Sequence, residues 1–429
     1  MKEADIMPQK NERSLAVSIL TEILETNAYA NIALRKALAE SNNLDSVKKS
    51  FVTDLVNETL RNLILIDYTI NKFSTKTPIE KMKPFIRNLL RISVCQINHM
   101  ERIPSHAAIN EAVNLTKNRN MANLSGFANG VLRSVDRAEP EEIRDTALKY
   151  SYPKWLYSGL TRWLGQEDAE SFCENSHKPP PVIIFTNTVK ITQNELAKKI
   201  MTEGVIATPL DEYFLILKNS GDISSLPSFK EGLFFVIDPG AMLAVNALGL
   251  KSGLTMLDIC AAPGGKSFAA ACIMGNQGII RSYDIHQHRL QLISQTRKRL
   301  GLSIISPKLQ DALLFDPSLE NSADAVLLDA PCSGLGTIRK HPEMKYTRTM
   351  EDITAIAAKQ LQMLENTAKY VKPKGTLVYC TCTITHEENI NNINSFIISN
   401  KNFKLEKTLQ TLPTPTSDGF FIARMLKQK

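Results

Sequence analysis

The stretch Leu254-Thr255-Met256-Leu257-Asp258-Ile259-Cys260-Ala261-Ala262-Pro263-Gly264-Gly265-Lys266-Ser267 decides the fold. A mostly apolar run, Leu254 to Ile259, gives way to small residues and two adjacent glycines, and a helical stretch follows. That is the layout of strand, tight turn and helix start at which an open α/β sheet binds a nucleotide-like ligand. Glycines let the main chain approach such a ligand without a Cβ in the way. Two commoner motifs do not fit. The dinucleotide fingerprint needs G-x-G-x-x-G, and here the glycines are adjacent. Walker A needs a glycine five residues before Gly265, where Cys260 stands.

Acids at further strand ends support a ligand. Gly278 to Asp284 reads as a second strand closing on an acid 26 residues after Asp258. An acid there can accept from both hydroxyls of a ribose. Asp311 follows Pro307-Lys308-Leu309-Gln310, a third strand end, and Ala325 to Asp329 is an apolar strand that also ends in an acid. Thr376 to Cys382 is another strand, with helical stretches Gln287 to Leu300 and Asp352 to Tyr370 between. Alternating strands and helices predict a parallel sheet with helices on both faces. One such acid alone would read as a helix cap; several at successive strand ends do not.

The N-terminal third reads as all helix. Leu15, Ile19 and Ile23 follow i, i+4, i+8 spacing, as do Ile86, Leu90 and Val94. The stripe implies a bundle core and no more. Glu139 to Ala147 is a charged linker, and a helical segment runs from Pro153 to about Asn175. Lys178-Pro179-Pro180-Pro181 is a break. Val182 to Phe185 and Tyr213 to Leu217 then flank a helix, Gln193 to Thr202, in a β-α-β pattern.

Composition sets limits. No apolar run of 18 residues predicts a membrane span, and the polar start Met1 to Arg13 carries no signal peptide, so a cytoplasmic chain is expected. The net charge is +7, but residues 1–150 hold 21 basic against 18 acidic side chains, so charge does not locate a footprint. Of the seven cysteines, Cys95, Cys173 and Cys272 read as core. Cys380, Cys382 and Cys332 lack the paired spacing of structural zinc, so no metal is expected, and the odd count without a secretory signal disfavours disulfides.

The segments DICAAPGGKS, DAPCSGLGTIRKHPE, YCTCTITHEEN and DGFFIARMLK, in that order, resemble the Nol/Nop/Sun family of RNA cytosine-5 methyltransferases. Ser105 to Val113 and Phe127 to Arg133 resemble a NusB-like helical domain, and the β-α-β pattern is similar to the small RNA-recognition-like subdomain that precedes the family's catalytic core. The resemblance covers nearly the whole chain. It implies a multidomain fold: an all-α NusB-like RNA-binding domain over 1–140, a linker and helical segment over 141–178, a small RRM-like α+β subdomain over 179–232, and an α/β Rossmann-like class I methyltransferase domain over 233–429. The members that pair these parts imply a specific cytosine of small-subunit ribosomal RNA as substrate, and a monomer is expected.

The resemblance also implies roles. S-adenosylmethionine would lie on Cys260, Ala261, Ala262, Pro263, Gly264, Gly265 and Lys266, with its ribose on Asp284, its adenine near Asp311 and its methyl near Asp329. Cytosine C5 is too weak a nucleophile to take a methyl group unaided. A thiolate adding at C6 makes C5 enamine-like, which splits one hard step into easier ones. Cys382 of the Thr-Cys motif would be that nucleophile, Asp329 would hold N3, and Cys332 of the Pro-Cys motif would help release the product. Lys266 is a cation that could lower a nearby thiol's pKa.

The chain departs from the family pattern at three places. Cys380 stands where serine is common. Val236-Ile237-Asp238-Pro239-Gly240 lacks the usual serine or glutamine after Asp-Pro, and Phe185-Thr186-Asn187 lacks the arginine often seen before the asparagine. Two alternatives stay open: an RNA-binding assembly factor with a vestigial site, and a DNA-enzyme arrangement in which Cys332 attacks.

Overall fold

The computed structural model describes residues 11–41, 44–119 and 121–428. The start of the chain through Lys10, read above as polar and without a leader, lies outside them. The chain divides into two compact units.

The first unit runs to Thr161 and includes the distant segment His341–Thr347. Its helices include Glu12–Thr26, Ala30–Ala39, Ser46–Arg61, Leu63–Phe73, Pro84–His99, Ser105–Asn118 and Ser125–Asp136. Caps start two of them: the Asn11 side chain accepts from Ser14 N, and the Asp45 side chain from Lys48 N. The two stripes legible in sequence meet in one core, where Leu15, Ile19, Ile23, Ile86, Leu90 and Val94 are all buried. Each fully buried aliphatic side chain contributes about 1.5–3 kcal/mol. The segment His341–Thr347 is part of this unit's fabric. Lys345, 1% exposed, donates from Nζ to the carbonyls of Arg61 (2.8 Å) and Tyr150 (3.1 Å). Tyr346 donates its hydroxyl to Leu60 O at 2.8 Å.

The second unit opens with the helix Gln166–His177, followed by a four-stranded antiparallel sheet of β1 (Val182–Thr186), β2 (Ile206–Pro209), β3 (Phe214–Lys218) and β4 (Phe234–Val236), in the order β2-β3-β1-β4. One face packs Ile184, Leu215 and Leu217 on the helix Gln193–Thr202. The other carries Phe185, Phe214 and Phe235, which join a core of the larger sheet through Phe268, 5.7 Å from Phe235 between ring centres. RNA-recognition sheets stack bases on exposed aromatics. In this sheet those aromatics are buried, so the likeness expected from the β-α-β pattern is one of topology and not of an open RNA platform. Asn187 locks the join. It is fully buried and donates to Gly232 O (2.9 Å) and Leu300 O (2.8 Å).

The larger sheet holds β5 (Thr255–Ile259), β6 (Ile279–Asp284), β7 (Ile305–Leu309), β8 (Ala323–Asp329), β9 (Val371–Thr381), β10 (Phe403–Gln410) and β11 (Phe421–Lys427). Their order is β10-β11-β9-β8-β5-β6-β7. Five strands are parallel, as the alternating pattern predicts. β11 runs antiparallel to β9 and β10 antiparallel to β11, so the sheet is mixed and Rossmann-like. The strand order reverses at β5 and β8, where an open sheet splays a crevice at its carboxyl ends. Alternate side chains face opposite sides. Met256, Ala325, Leu327 and Val378 lie in one core and Leu257, Val326, Leu328 and Tyr379 in the other.

Candidate active site

The same alternation builds the site. Counting two residues at a time along each strand puts Asp329, Cys380 and Cys382 on the face of Leu327 and Val378, at the carboxyl ends of β8 and β9. Asp329 is paired in register with Cys380. Beyond the strand ends, Cys332 and Cys382 bring their Sγ atoms to 3.3 Å. Motifs fifty residues apart in sequence thus converge on one point.

Next to them, β5 ends at Ile259 and the chain turns through Cys260, in left-handed backbone at φ +62°, and Gly264, at φ +106°. The helix Gly265–Ile273 starts there. A Cβ on Gly264 would lie 2.6 Å from the Phe268 ring, so only glycine fits this turn. Asp284 closes β6, 3% exposed, and accepts from Ala262 N (3.3 Å) and His286 N (3.0 Å). Two such bonds leave acceptor positions on the carboxylate for two hydroxyls. A glycine turn, a helix N-terminus and this carboxylate fit an adenosyl cofactor. Asp311 lies two residues beyond β7, its side chain accepting from Leu313 N at 2.9 Å, and Gln310 beside it donates its N–H to Asp284 O. It is brought near Asp284 but not bonded to the other site residues.

Two residues of this region were given no role from the sequence. Arg289 donates to Ala262 O at 2.6 Å and pairs with Asp284 at 3.5 Å, bracing loop and carboxylate together. Asp258 lies fully buried under the loop, accepting from Ser267 Oγ, with its other oxygen lacking a partner. Burial pushes its carboxyl up to about 7, against the opposing effect of Ser267.

Lys266 Nζ donates to Asp329 Oδ2 at 2.6 Å, and the Cys380 thiol donates to Asp329 Oδ1 at 3.3 Å. Burial works against the Lys266 ammonium, but the Asp329 carboxylate outweighs it and holds the pKa above its ordinary value. Toward the neighbouring Cys380 thiol the Lys266 charge acts in the lowering direction expected of it, without being the largest effect. Burial and then Asp329 push the Cys380 thiol up, and the lysine's opposing charge does not reverse that. Burial and the surrounding carboxylates likewise raise Cys260. Cys332 stands well above the usual thiol range, first through its hydrogen bond with Cys382, then burial, then the charges of Cys382 and Glu388.

The departures noted in sequence have local accounts. Cys380 supplies the donor that a serine would. Asp238 caps the helix Pro239–Ala247 and binds Lys340 at 2.7 Å and Asp418 N at 3.1 Å, so its stretch anchors the loops around the site. Asn187 is spent on the join between the sheets. Cys95, Cys173 and Cys272 are buried. Among the described residues no helix is long and apolar enough to cross a membrane, and no group of three His, Cys, Asp or Glu side chains could hold a metal ion.

Three family models match successive parts of the chain. Residues 10–137 match the NusB family, 152–224 the ferredoxin-like domain of RsmF/B-like methyltransferases, and 245–426 the 16S rRNA methyltransferase RsmB/F family. The probable ribosomal RNA small subunit methyltransferase B of Bacillus subtilis (strain 168) is 37% identical, with 98% of this chain and 100% of that one covered. The solved structure of PH0851 superposes over the whole of both chains with a TM-score of 0.81 at 27% identity. A methyltransferase homolog protein from Pyrococcus horikoshii covers 66% of this chain and 98% of its own, with a TM-score of 0.58 at 29% identity.

Proposed function

The chain belongs to the 16S rRNA methyltransferase RsmB/F family and is an S-adenosylmethionine-dependent RNA methyltransferase, and we propose that it methylates C5 of one cytosine in small-subunit ribosomal RNA through a covalent bond between Cys382 and C6. The observation that carries the proposal is the pair of thiols 3.3 Å apart beside Asp329, at the mouth of the cofactor loop. We further propose a monomer acting in the cytoplasm, with residues 1–140 helping to choose the RNA.

When bound, S-adenosylmethionine supplies an electrophilic methyl group. The residues that would hold it are Asp284, as acceptor for the ribose hydroxyls, the loop from Cys260 to Lys266, which Arg289 stiffens through Ala262 O, and Asp311 for the adenine. Asp329 holds the N3 edge of the target cytosine. The Lys266 ammonium, 2.6 Å from Asp329, offsets charge that collects there as C6 is attacked. Cys382 adds as a thiolate: its sulfur–C6 bond forms, the C5–C6 π pair moves to C5, and C5 becomes the nucleophile. After C5 is methylated, Cys332 as thiolate takes the C5 proton, the C5–H electron pair restores the C5–C6 double bond, and the sulfur–C6 bond breaks to release Cys382 as thiolate. An intact nucleophile, acid and second thiol in one place weigh against a vestigial site.

Bisulfite sequencing of ribosomal and transfer RNA from a strain lacking the gene tests substrate and position. One small-subunit rRNA cytosine should lose its protection and regain it on complementation. A change confined to transfer RNA, or no change, contradicts the proposal.

A further inference from the structure

Glu388 is fully buried in the loop that follows β9, and the mechanism above does not use it. Its carboxylate is a meeting point. Oε1 accepts from Ser333 N at 2.8 Å and Gln360 Nε2 at 3.1 Å. Oε2 accepts from Ser333 Oγ at 2.6 Å and Thr385 Oγ1 at 2.8 Å. Donors alone surround it, which asks for an acceptor-only side chain in that place. The donors matter for where they stand in the chain. Ser333 follows Cys332, and Gln360 also donates to Pro331 O, just before Cys332, at 2.9 Å. Thr385 stands three residues after Cys382. Thr383, next to Cys382, shares a hydrogen bond with Ser333 Oγ at 2.7 Å. One carboxylate therefore grips both cysteine-bearing loops from within the protein.

We propose that Glu388 is a positioning residue that sets the separation of Cys332 and Cys382, an inference that rests on both cysteines acting on one base. Two thiols that attack and release the same ring must each reach their atom without resetting the loops between steps. Misplacement by about 1 Å costs on the order of a hundredfold in rate. Several charge-assisted bonds to one rigid, buried group are a means of holding such spacing.

The test uses the full-length protein and dibromobimane, which links two thiols only when they are close, with bridged peptides identified by mass spectrometry. Wild type should bridge Cys332 to Cys382. Glu388→Ala should lower that bridging rate by at least about tenfold, and Glu388→Gln, which keeps one acceptor oxygen, by less. Cofactor affinity by calorimetry should stay within about twofold, because Asp284 and its loop are untouched. In methylation assays kcat should fall on the order of a hundredfold while KM for the cofactor holds. Bridging at the wild-type rate in a Glu388→Ala protein that binds cofactor overturns the proposal. If that variant does not fold, the pair Ser333→Ala/Thr385→Val deletes two arms of the grip, and unchanged bridging in it overturns the proposal equally. Bridging needs neither RNA nor turnover. Absence of any RNA adduct from Cys332→Ala would sink the cysteine mechanism and leave the positioning result standing.

Discussion

Replacing Asp284 by alanine removes the carboxylate that closes β6 while leaving the strand in place. The side chain is 3% exposed and accepts from Ala262 N and His286 N, so a buried, preorganised acceptor is lost along with the brace that Arg289 supplies at 3.5 Å. A hydrogen bond to a charged group in such a setting is worth about 1.5–3 kcal/mol. Weaker binding of S-adenosylmethionine by roughly ten- to a hundredfold follows. The loosened loop adds to this, because Ala262 loses the acceptor for its N–H. Isothermal titration of the cofactor into wild type, Asp284→Ala and Asp284→Asn measures it. Asparagine keeps one oxygen acceptor and should fall between the other two. A folded Asp284→Ala protein, verified by circular dichroism, that binds the cofactor as wild type does would refute the assignment of this carboxylate.

Asn187→Ala should destabilise the second unit by about 2–4 kcal/mol in chemical denaturation, since it leaves the carbonyls of Gly232 and Leu300 without their buried donor; a loss below roughly 0.5 kcal/mol, the scale of an ordinary surface change, contradicts the join described here. Asp258 gives a pH signature. Its folded carboxyl, at about 7, lies above the ordinary 3.8. Below 3.8 both states hold the proton; between the two values only the folded state does, so unfolding releases a proton and stability falls as pH rises through that window. Asp258→Asn should flatten this fall in thermal melts between those pH values, and an unchanged slope would show that the group is not the source.

The candidate site was legible through acids at successive strand ends and through the motifs that carry the family resemblance, which implied roles for Asp329, Cys332 and Cys382. That Asp329, Cys380 and Cys382 share one sheet face came only with the register of β8 and β9. The hairpin of β10 and β11 was not legible as strands. β10 is largely exposed, so it lacks the alternation that betrays a half-buried strand, and no helix separates it from β11. β2 and β4 are four and three residues long, too short for a period to register. Glu388 reads as one more polar residue of Thr385-His386-Glu387-Glu388, because its partner Ser333 is 55 positions away. Lys345 reads as a surface cation, yet it is buried in the helical unit against carbonyls from two other segments. In each case the decisive partner is distant in the chain, and only tertiary packing supplies it. Cys332 and Cys382 were paired by motif, but their approach to 3.3 Å depends on the loops after two strands, whose path no local pattern encodes.

The measurement that bears most directly on the account is a denaturing-gel assay for protein–RNA adducts with S-adenosylmethionine and substrate RNA, run on Cys332→Ala, Cys382→Ala and the double variant. Cys382 as the attacking thiol and Cys332 as the releasing one predict that Cys332→Ala accumulates a stable adduct, and that Cys382→Ala and the double variant form none. An adduct from Cys382→Ala with none from Cys332→Ala would reverse the two roles and contradict the account.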